Sequence, residues 1–358
     1  MKVNFRDPSF RNDPGEVLRG LRKENPVAKI EGLSSFLVSR HADCAAILAS
    51  KKFGFEESSD SLPGKSDYFG MRRALMVFQN APDHPASRQE GKRMLAVKSA
   101  GEMEVIVRKA ARLGLQEWNG SGDFVSGFAR PFAWRIAEEL FQEELGGSEV
   151  VMRLTRELTA ALDPLGPGNS IKRAGEIFRL LEGGPGCPSK DGGDQLLMLV
   201  MASTFTTTHI LGLVMEGLLT HPSLAALRQQ KQEVTPEAVE ELFRFYSPVQ
   251  MTRRVALEEV EVKGRSYRAG TVFWLSLRSA NEDERVFENP GVLDPERNPN
   301  RHLAFGKGAH NCLGAHLARM QLRVFLEEFC GRFPGMKMGE AKKMGSLVFR
   351  GLDALEVD

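Results

Sequence analysis

The sequence predicts a mainly α-helical protein with small β-sheets, in the α+β class. Helical patterns dominate from His84 to about Leu181, with short breaks that contain glycine, asparagine or proline. The segment Gln195–Leu219 lacks proline, and its first half is apolar nearly all round, as in a helix buried at the centre of a protein. Short β-like runs follow at Pro248–Ala256, Val260–Tyr267 and Val272–Leu275.

The N-terminal region contains three further elements. They are predicted as a helix over Pro14–Lys23, a strand over Ser35–Ser39 and a helix over His41–Ala49. Two segments rich in Gly, Pro, Ser and Asp are predicted to be loops: Ser58–Tyr68, which we expect to be mobile and near a substrate entrance, and residues 183–194. No internal repeat is visible, and we expect residues 1–358 to form one domain.

The charges of the chain are nearly balanced. Forty-eight basic and 47 acidic side chains leave a formal charge of +1, which gives no global argument for nucleic acid or an anionic membrane. The N-terminus has no apolar signal-peptide core, and no run reaches the roughly 18 apolar residues of a membrane span. Cys44, Cys187, Cys312 and Cys330 show no paired spacing, which suits a reducing compartment. We therefore expect a cytoplasmic protein.

The most informative stretch is the loop from Phe305 to Gly314, which delivers Cys312 into the start of a helix. Amides at a helix N-terminus and the positive end of its dipole favour a thiolate, and a thiolate binds soft or borderline metals. Gly306, Gly308 and Gly314 allow the backbone to approach a large group closely. The loop therefore suggests a metal-bearing, flat cofactor.

This loop resembles the haem-binding loop of cytochrome P-450 enzymes, Phe-x-x-Gly-x-x-x-Cys-x-Gly. The matching positions are Phe305, Gly308, Cys312 and Gly314. The resemblance implies the cytochrome P-450 fold as a single catalytic domain over residues 1–358, with haem b between the long central helix and the helix after the cysteine loop. It makes Cys312 the axial ligand of the haem iron. It also implies cofactor contacts at Phe305, Gly306, Gly314 and Ala202.

Two further motifs match this family. Glu241 and Arg244 stand at i, i+3 on one helix face, close enough to form an ion pair. The resemblance implies that Arg297 joins them in a structural lock beneath the haem. The haem propionates require cationic or hydrogen-bonding partners, because an unpaired buried charge is costly. The sequence offers four such partners: His84, Arg88, Arg254 and His310.

The central helix carries a motif that departs from the family pattern Ala-Gly-x-(Asp or Glu)-Thr-Thr. The stretch from Ala202 to Thr207 places Thr206 at the oxygen-activating position. Ser203 replaces the usual glycine, and Phe205 replaces the acid that relays protons. Protons could travel through water held by Ser203 and Thr206, or the substrate could supply its own donor. A third hypothesis is a peroxide-dependent or non-oxygenating enzyme. His209 is interpreted as a satisfied interior histidine.

Two other classes of function compete. His302, His310, Cys312 and His316 could bind zinc, since structural zinc takes nitrogen and sulfur ligands. That reading leaves the glycines and the threonine-rich helix unexplained. A haem-binding but non-catalytic partner of a biosynthetic complex is the other alternative, against which Thr206 argues mildly.

The interpretation that the resemblance favours is a soluble bacterial haem-thiolate monooxygenase that inserts one oxygen atom of O2 into a small molecule, in secondary metabolism. The remaining length leaves no room for a flavin or iron–sulfur domain, so we expect a separate ferredoxin and ferredoxin reductase. The substrate could be carrier-bound. A ferredoxin-docking patch is predicted at Lys92, Arg93, Lys98, Arg301, Lys307 and Arg319. Candidate pocket residues are Met71, Met76, Phe78, Met198, Met201, Phe205, Val249, Met251 and Phe349.

Overall fold

The computed structural model describes residues 3–55, 74–141, 148–167, 169–182, 193–229 and 233–358. Thirteen α-helices lie in these ranges. They are α1 (Pro8–Asn12), α2 (Gly15–Glu24), α3 (His41–Ala49), α4 (Asp83–Leu95), α5 (Ala100–Trp118), α6 (Arg130–Phe141), α7 (Ser148–Leu162), α8 (Ser170–Glu182), α9 (Gly193–Thr220), α10 (Ala225–Arg228), α11 (Pro236–Tyr246), α12 (Leu277–Asn281) and α13 (Ala315–Phe329).

Ten short strands in the described residues form three sheets. They are β1 (Val27–Lys29), β2 (Ser35–Val38), β3 (Phe53–Gly54), β4 (Gly122–Asp123), β5 (Met251–Ala256), β6 (Val260–Val262), β7 (Arg265–Tyr267), β8 (Val272–Ser276), β9 (Met338–Lys343) and β10 (Leu352–Val357). The largest sheet has the order β1-β2-β8-β5-β3, a second has β4-β10-β9, and β6 pairs with β7. The expected class, mainly helix with small sheets, is confirmed.

The long helix α9 passes through the centre of the molecule. Its buried residues include Val200, Leu211 and Val214, which are fully covered by the surrounding elements. It is long and apolar enough by composition to cross a membrane, but 72% of its apolar window is buried inside the protein. That burial is the behaviour of a core helix, so α9 serves as the axis around which the other helices pack.

An aromatic stack ties the helices on one side of α9 together. The rings of Phe128 and Phe132 lie 5.5 Å apart, and Phe128 lies 5.5 Å from Phe325 of α13. The ring of Phe325 lies 5.2 Å from that of Phe329. All four side chains are essentially buried, and burying each stabilises the fold by roughly 1.5–3 kcal/mol. This stack fixes α13, and therefore the loop that precedes it, relative to α6.

Several element bounds differ from those predicted. The predicted strand Val260–Tyr267 is a hairpin of β6 and β7, because Lys263 and Gly264 adopt positive φ angles of 53° and 71° and turn the chain back. The helix α9 begins at Gly193, inside the segment predicted as a loop. The sheet of β4, β9 and β10 was not predicted. The loop Ser58–Tyr68, the break at 146–147, Met71 and Cys187 lie outside the described residues.

Candidate functional site

The loop that carries Cys312 is closed by its own backbone. The Phe305 carbonyl accepts a hydrogen bond of 2.8 Å from the Cys312 amide, and the Gly306 amide donates to Leu303 at 2.9 Å. Gly308 has φ of 75°, and a Cβ there would lie 2.3 Å from the carbonyl oxygen of Leu48. Gly308 is therefore required for packing against α3.

The environment of the Cys312 sulfur differs from the prediction. Solvent reaches the side chain through an open cavity of about 510 Å³, which is also lined by His84, Arg88 and Lys92. The surrounding protein atoms nevertheless displace enough water to raise the pKa of the thiol. A backbone hydrogen bond at Gly314 and the positive charges of Arg88 and Arg319 oppose that effect without overcoming it. Desolvation therefore favours the thiol, whereas the amide and the two arginines favour the thiolate, and a bound cation would add to their effect.

Arg319 and Phe305 form the other wall of the loop. The Arg319 guanidinium lies 4.4 Å from the centre of the Phe305 ring, and its Nη2 donates to Glu240 at 2.9 Å. The Phe305 ring also packs on Phe243 at 4.7 Å. These contacts hold Arg319 in place near Cys312, where its charge favours the thiolate form.

The four predicted propionate partners converge beside this cavity, and together they are called the basic cluster: His84, Arg88, Arg254 and His310. The rings of His84 and His310 lie 4.0 Å apart. Arg254 is 4% exposed, and its guanidinium lies 4.6 Å from the centre of the Phe55 ring, which in turn lies 5.1 Å from His310. Arg88 donates to the Asn311 side chain at 2.7 Å.

The basic cluster has no carboxylate partner among the described residues. Burial lowers the pKa of Arg254 to about 10. Burial, together with the charges of Arg254, His84 and Arg88, lowers the pKa of His310 to about 3. These shifts show that the cluster resists additional positive charge because no anion offsets the two guanidinium groups. The two propionate carboxylates of haem b fit this deficit, so the residues present suit the cofactor that the sequence implied.

The face of α9 that carries the threonine motif is partly open. Ala202, Ser203 and Thr206 are only half-buried in a helix that is otherwise mostly covered. The Thr206 hydroxyl donates to the Ala202 carbonyl at 2.7 Å, and the Ser203 hydroxyl donates to Val200 at 3.2 Å. Both hydroxyl oxygens therefore remain able to accept a hydrogen bond from water.

Phe205, which replaces the relay acid, packs against two other rings. Its ring lies 4.5 Å from that of His209 and 5.0 Å from that of Phe349, each in an edge-to-face arrangement. His209 is buried, and its Nδ1 has no hydrogen-bond partner among the described residues. His209 is therefore the interior histidine that was expected, with a backbone hydrogen bond at Leu352, but it is only partly satisfied because Nδ1 has no partner among the described residues. The orphan nitrogen could not be foreseen, because it results from packing against Gly351, far along the chain.

Glu241 is the centre of a buried ionic network. Arg244 donates from Nε and Nη2 to its two carboxylate oxygens at 2.7 Å each. Arg297 donates to the same carboxylate at 3.1 Å, and the Asn300 side chain donates at 3.0 Å. The ion pair expected from the i, i+3 spacing is therefore present, and Arg297 joins it. Asn300 was missed because nothing in its sequence context marks it.

The zinc alternative fails in the described residues. No group of three or more His, Cys, Asp or Glu side chains there is placed to hold a metal ion. The ring of His302 contacts the Glu240 carboxylate at 3.0 Å and is held away from Cys312. A single cysteine ligand is instead what a haem iron takes on one side.

Comparison with known proteins gives a consistent result. Residues 194–335 match the family described as Cytochrome P450. The chain is 30% identical to Cytochrome P450 105C1 of a Streptomyces species, over 91% of this chain and 89% of that protein. It is 27% identical to Polyketide biosynthesis cytochrome P450 PksS of Bacillus subtilis, over 97% of this chain and 96% of that protein. The crystal structure of P450BioI in complex with hexadec-9Z-enoic acid ligated Acyl Carrier Protein has the same fold, with a TM-score of 0.85, 24% identity and coverage of 98% and 99%.

Proposed function

The chain belongs to the cytochrome P450 family, and we propose that it hydroxylates a small organic molecule with Cys312 as the axial ligand of its haem iron. Members of the family bind haem b, and the relatives are monooxygenases, so the chain is a haem-thiolate monooxygenase. The observation that carries the residue assignment is the uncompensated basic cluster beside Cys312. A cysteine next to four basic groups without an acid is a site for a metal centre that brings two carboxylates.

The haem, when bound, supplies the activation of dioxygen and the oxidation of a substrate bond. The protein residues orient the haem and stabilise the charge on its sulfur ligand. Arg88, Arg254 and His310 would pair with the propionates and hold the ring in one orientation. Cys312, Arg319 and the amide at Gly314 hold negative charge on the sulfur. Phe305 packs against Arg319 and Phe243 and so fixes the start of the cysteine loop.

Proton delivery is assigned to Ser203 and Thr206. Their hydroxyl oxygens face the open side of α9 and are able to hold a water molecule, whereas the Phe205 ring cannot transfer a proton. Ser203→Ala and Thr206→Ala should each lower the product formed per electron consumed. A substrate hydroxyl or amine that donates the proton would lessen this loss, and comparing substrates with and without such a group measures that contribution.

A peroxide-dependent reaction is the second candidate, because Phe205 stands where the relay acid is usual. The two are separated by measuring turnover with 18O-labelled dioxygen and a reduced ferredoxin system, and with hydrogen peroxide alone. We expect one labelled oxygen atom in the product and little turnover with peroxide. Activity with peroxide alone, and no label from dioxygen, would replace the proposed monooxygenase cycle with peroxide chemistry.

The substrate is proposed to be an intermediate of secondary metabolism that is carried as a thioester on a carrier protein. Two relatives motivate this: one is named for polyketide biosynthesis, and the P450BioI structure holds an acyl-loaded carrier protein. A spectral screen of free acids against the same acids loaded on a carrier protein tests it. Tighter binding of the loaded form supports a carrier-bound substrate, and equal or weaker binding contradicts it.

The redox partner is proposed to be a separate ferredoxin, itself reduced by a ferredoxin reductase. Arg93, Arg301 and Lys307 are exposed, whereas Arg319 is already engaged by Glu240 and Phe305. We therefore expect Arg319 to contribute less to docking than the exposed members of the predicted patch. We propose a cytoplasmic protein that works as one catalytic unit of residues 1–358.

Charge reversal tests the docking patch. Arg93→Glu combined with Lys307→Glu should slow reduction by an acidic ferredoxin, most strongly at low salt, while substrate affinity stays the same. Lys172→Glu, on α8, is the matched control, because Lys172 is also an exposed cation but does not adjoin the cysteine loop. Equal reduction rates for the double variant and the control would reject the patch.

A further inference from the structure

Glu240 receives hydrogen bonds from two segments that flank Cys312 in the chain. Arg319 of α13 donates to its carboxylate from Nη2 at 2.9 Å and also from Nε. The His302 ring, just before the cysteine loop, contacts the same carboxylate through Nε2 at 3.0 Å. We call Glu240, His302 and Arg319 the clamp. The clamp joins α11 to the chain on both sides of the cysteine.

His302 is held in one orientation by its two ring nitrogens. Nδ1 accepts a hydrogen bond of 3.2 Å from the Ala304 amide, so Nε2 carries the proton that is donated to Glu240. The His302 side chain is 3% exposed, which leaves water little access to this hydrogen bond. Burial acts to raise the pKa of Glu240, but the hydrogen bonds from Arg319 and His302 lower it to about 2. Glu240 is therefore an anion at neutral pH and attracts the guanidinium of Arg319.

The guanidinium of Arg319 lies between this anion and the cysteine loop. It is 4.4 Å from the centre of the ring of Phe305, the residue at which the loop begins. Its charge acts on Cys312, because it opposes the burial that raises the pKa of that thiol. Arg88 also acts on Cys312, but it belongs to the basic cluster that is assigned to the propionates. Arg319 is therefore the cation that acts on the sulfur from outside the basic cluster.

A charge at this position has a defined effect on a haem bound to Cys312. A cation near a metal centre stabilises the state that carries more negative charge. Reduction by one electron adds one negative charge to the haem and its ligand, so Arg319 favours the reduced form. Groups around the ligands of a metal tune its reduction potential in this way.

We propose that Glu240 and His302 are positioning residues, which hold Arg319 beside Cys312 so that its charge raises the reduction potential of the haem. The inference rests on the proposed function, because it requires haem on Cys312. It gives Arg319, which the sequence placed in the ferredoxin-docking patch, a role inside the protein. The clamp makes the haem easier to reduce without contacting the redox partner.

Redox titration of the haem-loaded protein with small mediators, in the absence of ferredoxin, tests this role. Arg319→Gln removes the charge and should shift the equilibrium at a fixed potential about threefold or more toward oxidised haem. Because Arg319 is 39% exposed, the shift should be largest at low salt. Arg323→Gln is the matched control and should leave the potential unchanged. Arg323 is also a partly exposed arginine of α13, but it pairs with Glu104 and Glu327.

Glu240→Asp separates the position of Arg319 from the net charge of the clamp. Aspartate keeps the negative charge, but its shorter side chain cannot hold both Arg319 and His302 in place. We expect the potential to fall in the same direction as in Arg319→Gln, by a smaller amount. In the Arg319→Gln background, Glu240→Asp should leave the potential unchanged, because no guanidinium remains to be held.

His302→Phe removes a hydrogen bond without changing a charge. The variant keeps an aromatic ring before the cysteine loop, but Glu240 loses its second partner. The potential should fall less than in Glu240→Asp when Arg319 is present. It should stay unchanged when His302→Phe is combined with Arg319→Gln.

The proposal is overturned if Arg319→Gln has the same potential as the Arg323→Gln control, or if the effect of Glu240→Asp persists in full in the Arg319→Gln background. Lower unfolding free energies with unchanged potentials would show a purely structural clamp and would also overturn it. The reduced, carbon monoxide-bound spectrum is recorded for each variant. A strongly red-shifted Soret band shows that Cys312 still ligates the haem, so failure of the clamp is separated from failure of the proposed function.

Discussion

Arg244 and Arg254 are both buried, at 2% and 4% exposed, but their surroundings are opposite. Arg244 donates to the Glu241 carboxylate from two of its nitrogens and to three backbone carbonyls. Arg254 donates only to Thr252 and to the Arg253 carbonyl, and no acid lies beside it in the described residues. The protein itself supplies the counter-charge of the Arg244 guanidinium, whereas it supplies none for the Arg254 guanidinium among the described residues.

This difference separates a structural role from a binding role. A buried charge that its own chain neutralises contributes to the fold, and removing its partner is strongly destabilising. A buried charge that lacks a partner lowers the stability of the empty protein and is retained because a ligand completes it. The Glu241 network therefore belongs to the scaffold, and the basic cluster belongs to the cofactor. The following variants test that division.

Glu241→Gln should have the largest effect on stability. The change keeps the shape of the side chain but leaves Arg244 and Arg297 without a counter-charge, and we expect a loss of about 3–5 kcal/mol in the free energy of unfolding. Chemical denaturation of the haem-loaded and the haem-free protein should show the loss in both. Glu258→Gln is the control, since its ion pair with Lys52 is exposed and contributes about 1 kcal/mol or less. A Glu241→Gln protein as stable as the control would contradict the structural role.

Arg254→Gln, unlike Glu241→Gln, should not lower the stability of the haem-free protein. Removing an uncompensated cation should leave the unfolding free energy of the haem-free protein unchanged or raise it by about 1 kcal/mol, because burial of this charge is costly. Haem should bind about tenfold more weakly, measured by transfer of haem to apomyoglobin. Arg268→Gln, at an exposed site, is the control. Unchanged haem transfer would remove Arg254 from the cofactor site.

Arg297→Lys should have an intermediate effect. Lysine keeps the charge but cannot reproduce the fork of hydrogen bonds to Glu241 and to the carbonyls of Glu288, Asn289 and Val292. We expect a loss of about 1–2 kcal/mol in stability, with a normal haem content. A variant with full stability and reduced haem content would place Arg297 on the cofactor side of the division instead.

The smallest effect should be a pH dependence at His84. Burial and the charges of Arg88 and Arg254 lower its pKa below the ordinary value of 6.5. The unfolded chain therefore binds a proton at His84 more readily than the folded chain does. The free energy of unfolding of the haem-free protein should fall as the pH falls below 6.5, and this loss should be larger in the wild type than in His84→Gln. In the haem-loaded protein the propionates should reduce the difference in pH dependence between the wild type and His84→Gln. Thermal unfolding between pH 7 and pH 5, in about half-unit steps, measures it.

The sequence predicted the residues of the Glu241 network and of the basic cluster, but not their burial, their pKa values or all of their hydrogen bonds. The spacing of Glu241 and Arg244 is local, so their ion pair followed from helix geometry. The basic cluster comes from three separate segments, with His84 and Arg88 on α4, Arg254 on β5 and His310 on the cysteine loop, and only the family resemblance brought them together. The desolvation that raises the pKa of the Cys312 thiol depends on the folded surroundings, so the local pattern of the helix start does not record it. The orphan nitrogen of His209 likewise depends on packing that no local pattern records.

The absorbance of the reduced protein under carbon monoxide is the most direct test of the central claim, that Cys312 ligates haem iron held by the basic cluster. We expect the Soret band of the wild-type protein to move strongly to the red, and Cys312→Ala to lose that shift. Cys330→Ala is the control, because Cys330 is buried away from the site and should behave as the wild type does. Identical spectra for Cys312→Ala and wild-type protein would contradict the account.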